Sequence, residues 1–309
     1  MGDLPTERAC WCGHPGLEPY SDLYQVCRAC GTLISRAPTG TVPYDPTYWN
    51  ERQTEHHGLP AIRERARLDL PERCTHWLQR LLSVRPPPAR VLEIGCAHGG
   101  YVALLGWAGY DAIGTELSPE VARFGTEAFG VRILAGPIEA QDLKPGSFDV
   151  VILNDVLEHL PDPVGTLSHC AGLLDSDGLF VIQTPEYVEH LSHADLRASN
   201  DLFLKHMDNN NDEHLYLYSR RSAAALFARL GFPCLDFSEP LYAYDMSFVA
   251  SRQALAPADP AAAAAGLASR PSGRLVQALL DKAYESKDRW WAIQRLEERL
   301  RARGEKLPP

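Results

Sequence analysis

Val91-Leu92-Glu93-Ile94-Gly95-Cys96-Ala97-His98-Gly99-Gly100 decides the fold of this 309-residue chain. An apolar run enters a turn carrying Gly95 and Gly99, and a helical pattern follows. Strand, glycine turn and helix form the first unit of a doubly wound α/β sheet, whose glycines let the backbone approach a ligand closely. A pyrophosphate site would carry G-x-G-x-x-G, and here Glu93 stands directly before the first glycine. A carboxylate there suits a ligand without phosphates.

Outward from this turn, apolar runs at 89–94, 112–116, 131–135, 148–153 and 179–184 alternate with helical segments, the pattern of a mostly parallel sheet. Upstream, Leu70, Cys74, Trp77, Leu78 and Leu81 recur at helical spacing, and Pro86-Pro87-Pro88 stops that helix before the first strand. Downstream, a polar insertion at 185–220 shapes a substrate site at the carboxyl edge of the sheet, and a helix follows at about 221–230. An alanine- and proline-rich linker at 254–272 leads to a last helix with Leu275, Leu279, Ile293, Leu296 and Leu300 on related faces.

A net charge of −10 argues against nucleic acid as a partner, and no apolar stretch is long enough to span a membrane. The first residues lack a secretory pattern, so the chain reads as cytoplasmic. In that compartment Cys10, Cys12, Cys27 and Cys30 read as thiolate ligands of a structural Zn2+, with His14 as an alternative to one thiolate. The other four cysteines lie in apolar patterns and read as buried core. Glu116 ends the second strand 21 residues after Gly95, where a carboxylate can accept both hydroxyls of a ribose. The expected layout is a zinc-ribbon segment at 1–40, a helical lid or connector at 41–88, the sheet domain at 89–252, and linker plus C-terminal helix at 253–309.

With the E-x-G-x-x-x-G turn, the strand-end acid, the F-D-V-V strand running into L-E-H-L-x-D-P at 148–163 and the L-L-x-x-x-G turn at 173–178, the core resembles the class I S-adenosylmethionine-dependent methyltransferases. The resemblance implies a Rossmann-like sheet, mostly parallel with its last strand antiparallel. It implies S-adenosyl-L-methionine as cofactor, with Glu93 near the methionine end, Gly95 and Gly99 bordering it, and Glu116 with Leu117 at the ribose. Asn154 and Asp155 would line the site near the sulfonium. Pro137 stands where relatives often have an acid facing the adenine, so Ile138, Glu139 or backbone groups are expected to recognise the base. The ribbon followed by this core is similar to bacterial sugar and natural-product methyltransferases. By that likeness His214 is the general base, Glu213 orients it or shares its task, and Tyr216 or Tyr218 lines the pocket. His190, His193 and His206 are runners-up, His159 reads as helix packing, and Asp195, Asp208 and Asp212 are an alternative divalent-cation set.

The expected acceptor is a small molecule or glycan, with O-methylation of a sugar or related hydroxyl favoured because the large C-terminal domain of the sugar C-methyltransferases is absent. N- or C-methylation of a natural-product scaffold, and a degenerate scaffold binding partner proteins, are the alternatives. The C-terminal helix, with Trp290 and Trp291, permits a homodimer.

Overall fold

The computed structural model describes residues 8–37, 44, 47–55, 58–208 and 213–302. Two sheets organise the described residues. In the small one, β1 (Leu17–Pro19), β2 (Tyr24–Cys27) and β3 (Leu33–Ser35) form an antiparallel meander. The large sheet comprises β4 (Arg90–Ile94), β5 (Asp111–Glu116), β6 (Ile133–Ala135), β7 (Phe148–Asn154) and β8 (Leu174–Pro185). One further strand, β9 (Tyr216–Leu217), comes from the insertion and pairs with β3. The hairpin β10 (Cys234–Ser238) and β11 (Asp245–Ser251) completes the large sheet.

The large sheet runs in the order β6-β5-β4-β7-β8-β11-β10. Strands β4 to β8 pair in parallel, while β11 is antiparallel to both of its neighbours. The mostly parallel Rossmann-like sheet with an antiparallel last strand is therefore the observed architecture. From β4 the chain winds outward to β5 and β6, then returns to place β7 on the other side of β4. That reversal leaves a crevice beyond the carboxyl ends of β4 and β7, where α/β sheets bind ligands.

Side chains alternate across each strand, so both faces of a helix-covered sheet must be apolar. Leu92, Val151, Phe180 and Phe248 pack on one face with the helices Pro163–Leu173 and Arg220–Arg229. Val91, Val150, Val181 and Val249 pack on the other with Leu78, Leu81, Leu104 and Leu105. The helix Arg220–Arg229 starts on a Ser219–Ser222 capping box, and Gly231, with φ of 86°, turns the chain just beyond its end.

Two C-terminal readings need correction. The stretch read as a linker contains the helix Pro260–Ala268, because Asp259 caps it, Pro260 fits the first turn and the alanine run favours helix. In the last helix, Pro271–Ala302, Val276 and Leu280 are the residues buried against Leu104, Leu105 and Leu267, whereas Leu275 is 75% exposed. The docked face is thus one residue out of register with the leucine pattern, and Leu279 is only partly buried beside it. The side chains of Trp290, Trp291, Ile293, Leu296 and Leu300 lie outside the described residues, as does Asp212.

Candidate active site

At the crevice the chain bends sharply after both central strands. Gly95 follows β4 with φ of 66°, and a Cβ there would lie 2.7 Å from Val156 Cγ2, so the turn admits only glycine without displacement. After β7, Asp155 adopts φ of 54°, a left-handed conformation that non-glycine residues seldom take. These two turns flank a pair of adjoining cavities. The larger, about 570 Å3, is lined by Glu93, Cys96, Asn154, Glu158, His206, His214 and Asp245 among others. The smaller, about 250 Å3, is lined by Glu116, Leu117, Val156, Leu160 and Leu215. Gly95, Asp155, His159, Glu213, Tyr48 and Trp49 border both.

Glu116, at the end of β5, accepts the Ala97 N–H at 3.1 Å and the Ser118 N–H at 2.9 Å. Burial pushes its carboxyl up to about 7 despite those two donors. Glu93 is buried on β4 and is pushed up to about 8, by burial first and by the nearby Glu116 second. Its Oε2 has no hydrogen-bond partner, and neither Oδ1 nor Nδ2 of Asn154 has one. Buried polar atoms without partners are costly. These three face a cavity in which a ligand carrying both cationic and hydrogen-bonding groups would satisfy them.

Asp155 is held in place from two sides, by Arg73 at 2.8 Å and by Gln183 Nε2 at 3.2 Å. Gln183 also donates to Asp245 Oδ2 at 3.1 Å and accepts from Trp77 Nε1 at 2.8 Å. Asp245 is pushed up to about 8 by burial, with Asp155 adding to the effect, and its Oδ1 has no partner. On the connector, Asp69 accepts from His98 Nε2 at 3.0 Å, because the Gly100 N–H already donates to His98 Nδ1. The glycine turn and the connector are thereby tied together.

Glu213 and His214 precede β9, and three contacts fix that segment. Leu215 N–H donates to the Glu158 carbonyl at 2.8 Å, Ser35 N–H to the Leu215 carbonyl at 3.0 Å, and Tyr24 Oη to the His214 carbonyl at 2.9 Å. The cysteine segment therefore buttresses the strand that directly follows the expected base. Both side chains are buried. His214 Nδ1 lies 2.9 Å from the His206 carbonyl, and its ring meets that of His159 edge-on at 4.8 Å. The Glu213 carboxylate accepts from Tyr48 Oη at 3.0 Å and pairs with Arg52 at 2.7 Å. These two contacts tie the insertion to the connector helix Tyr48–Arg52.

The structure brings Glu93, Gly95, Glu116, Leu117, Asn154, Asp155, Glu213 and His214 together around the two cavities. Gly99, Ile138 and Glu139 line neither. The bare Cα of Gly99 makes room for Ile133, Ile138 is buried among Leu153 and Leu157, and exposed Glu139 accepts a hydrogen bond from Thr166. Asp195 caps its own helix through Ser192, and Asp208 pairs with Arg197, so neither faces the cavities. Tyr216 donates to the Ala9 carbonyl, and Tyr218 is fully buried. Sequence reasoning passed over His159, which ends the 3₁₀ turn Leu157–His159 and borders both cavities. The E-H pair in the turn four residues beyond the end of β7 was the available signal.

Away from the crevice, the sulfurs of Cys10, Cys12, Cys27 and Cys30 converge, with separations of 3.5 Å for Cys10–Cys30, 3.4 Å for Cys10–Cys12 and 3.6 Å for Cys12–Cys27. A tetrahedral zinc site with bonds of about 2.3 Å has sulfur–sulfur edges of about 3.8 Å, so the set fits such an ion with minor adjustment. His14 is exposed, accepts the Gly16 N–H at 3.0 Å and stands outside the cluster.

A family model described as a methyltransferase domain matches residues 65–236. The ubiquinone biosynthesis O-methyltransferase of Xanthomonas campestris is 35% identical over 104 residues, 32% of this chain and 44% of that protein. That of Methylococcus capsulatus is 32% identical over 101 residues, 31% of this chain and 43% of that one. The chain thus spans less than half the length of these curated relatives. Among solved structures, a methyltransferase of Thermotoga maritima described as a possible histamine N-methyltransferase is 20% identical, with TM-score 0.45, covering 62% of this chain and 96% of that one. The magnesium protoporphyrin IX methyltransferase of Synechocystis, solved with S-adenosylhomocysteine, is 18% identical, with TM-score 0.46, covering 67% and 98%. No helix among the described residues is long and apolar enough to cross a membrane.

Proposed function

Because the chain belongs to the class I S-adenosylmethionine-dependent methyltransferase family, we propose that it methylates a hydroxyl of a small molecule or glycan held in the larger cavity. The observation that carries this reading is the row of buried Glu93, Asn154 and Glu116 across the two joined cavities, with orphaned polar atoms on the first two. When bound, the cofactor supplies an electrophilic methyl group on a sulfonium. Glu116 is placed to accept the ribose hydroxyls, with Leu117 covering the smaller cavity. Glu93 and Asn154 answer the charged amino-acid end, and Gly95 gives the backbone clearance.

On the acceptor side His214, with His159 and Glu158 beside it, activates the hydroxyl. Glu213 acts as a positioning residue by tying the connector down through Tyr48 and Arg52. Asp245 and Lys205 add polar groups to a cavity that suits a polyhydroxylated acceptor such as a sugar. The relatives named O-methyltransferases favour oxygen as the methylated atom. The four cysteines hold a structural Zn2+, which keeps β9 in place. On the tail helix, exposed Leu275 and Tyr284 offer a face to a second copy, which sedimentation would detect.

The test is transfer of labelled methyl from S-adenosylmethionine into a cell extract lacking the gene, fractionated into small molecules, glycans, proteins and nucleic acids. Label in the first two fractions, lost in Glu116→Ala, is expected. Label confined to protein or nucleic acid would overturn the acceptor class.

A further inference from the structure

We propose that the larger cavity recognises an amino sugar, with the ammonium group seated on Asp245 and a hydroxyl of the same ring presented for methylation. The acceptor class rests on the methyl-transfer reading above, whereas ammonium binding at Asp245 stands on the side chains alone. Asp245 opens β11 opposite Pro185, the last residue of β8, and the backbone around it is fixed. Its N–H donates to the Tyr242 carbonyl at 3.0 Å, and the Glu186 N–H donates to the Tyr244 carbonyl at 2.9 Å.

The Asp245 side chain lines the cavity and is only 2% exposed. Its Oδ2 accepts from Gln183 Nε2 at 3.1 Å, while Oδ1 has no partner. Gln183 cannot serve that second oxygen as well. Its Nε2 also donates to Asp155 Oδ1 at 3.2 Å, which uses both amide hydrogens, and its Oε1 accepts the Trp77 indole N–H at 2.8 Å. A donor for Asp245 Oδ1 must therefore come from the cavity, since a buried oxygen left without one is costly.

Charge decides what kind of donor that is. Of the carboxylates lining the cavity, Asp69 pairs with Arg65, Asp155 with Arg73 and Glu213 with Arg52. Among the described residues no lysine or arginine pairs with the other three, Glu93, Glu158 and Asp245, and Lys205, also on the cavity wall, is exposed. Glu93 meets the cofactor under the reading above, which leaves Asp245 with Glu158 and Asp155 within electrostatic range of it. Burial and Asp155 hold the Asp245 carboxyl up to about 8, against the pull of Arg73, so a cation entering here gains more than a neutral hydroxyl does. Trp77 and Tyr244 line the same cavity and add aromatic surface for a pyranose ring and its charge. Trp77 is fixed by Gln183 and packs edge-on against Tyr101 at 5.3 Å, and Tyr244 stacks on Tyr242 at 5.3 Å. An amine held on a carboxylate keeps its proton and has no lone pair to attack a methyl group, so this seat directs methylation to oxygen.

Glucosamine and glucose are the probes, because they differ only in an ammonium for a hydroxyl at one carbon. Each is titrated at pH 6.5 into the chain, with and without S-adenosylhomocysteine, and followed by saturation-transfer NMR. Glucosamine should bind about tenfold or more tightly than glucose. Asp245→Asn, which keeps an oxygen for Gln183, should lose that preference and retain S-adenosylhomocysteine binding. The wild-type comparison is read without any variant, so misfolding of Asp245→Asn cannot blunt the test. No binding of glucosamine, equal affinity for the two sugars, or a preference that survives in Asp245→Asn overturns the seat. In the labelled-methyl experiment the product should be retained by a cation-exchange column in acid, and a product that runs through would overturn the amino-sugar acceptor. Failure of the wild-type chain to bind S-adenosylhomocysteine would strike the methyl-transfer reading and leave the glucosamine comparison standing.

Discussion

Cofactor binding should depend on the ionisation of Glu116, and the dependence can be worked out from its surroundings. Two backbone donors hold the carboxylate, yet burial raises its pKa to about 7. An ionised carboxylate accepts both ribose hydroxyls, whereas a protonated one must spend an oxygen as a donor. Affinity therefore rises with pH through the raised pKa and levels above it. If only the ionised form binds, affinity at pH 6 is about tenfold below its plateau, and at pH 5.5 about thirtyfold. In the ligand-free chain the sign reverses, because the folded state holds a proton that the unfolded state releases near pH 4.5, so stability falls as pH rises toward 7. 5′-Methylthioadenosine is the probe, since it keeps the ribose and adenine but lacks the amino-acid end proposed to meet Glu93. Calorimetric titration from pH 5.5 to 8.5 should show the rise. Glu116→Gln should abolish the slope and weaken binding by about 1.5–3 kcal/mol, roughly 10- to 150-fold. A flat wild-type profile, or a slope that persists in Glu116→Gln, would refute the reasoning.

His214→Asn should cut turnover by about 10²- to 10⁴-fold while S-adenosylhomocysteine affinity stays within about twofold, because the ring serves the acceptor and not the cofactor; equal loss of both would contradict that division. Cys12→Ser should release the metal of the cysteine cluster, seen by elemental analysis, and should lower turnover as well as melting temperature because β9 pairs with β3. Full turnover in a metal-free Cys12→Ser chain would disprove that coupling. Leu280→Ala should destabilise the fold by about 2–3 kcal/mol in urea denaturation, and Leu275→Ala by less than about 0.5 kcal/mol, since one is buried and the other exposed. The reverse order would show that the tail helix docks on its leucine face.

The central strands were legible because each is a short, largely apolar stretch closed by a glycine or a polar residue, Gly95 after β4, Glu116 on β5 and Asn154 on β7. Other features rest on information a local pattern does not carry. Strand β9 is two residues long and owes its existence to β3, some 180 positions earlier in the chain. Helix Pro260–Ala268 was hidden by composition, since its prolines and alanines also describe a linker, although Asp259-Pro260 is a helix start signal. The tail helix offered two apolar faces, and packing against Leu104 and Leu105 chose the one with Val276. His159 looked like packing because its neighbours are apolar, yet the 3₁₀ turn after β7 swings it to the cavities while Leu157 stays in the core. Ile138 and Glu139 were assigned by likeness alone, and neither lines the two cavities.

The most direct measurement is calorimetric titration of S-adenosylhomocysteine into the 309-residue chain. One molecule bound per chain, with binding lost in Glu116→Ala and retained in His214→Asn, is the result this account predicts. Absence of binding in the wild-type chain, or binding indifferent to Glu116, would contradict it.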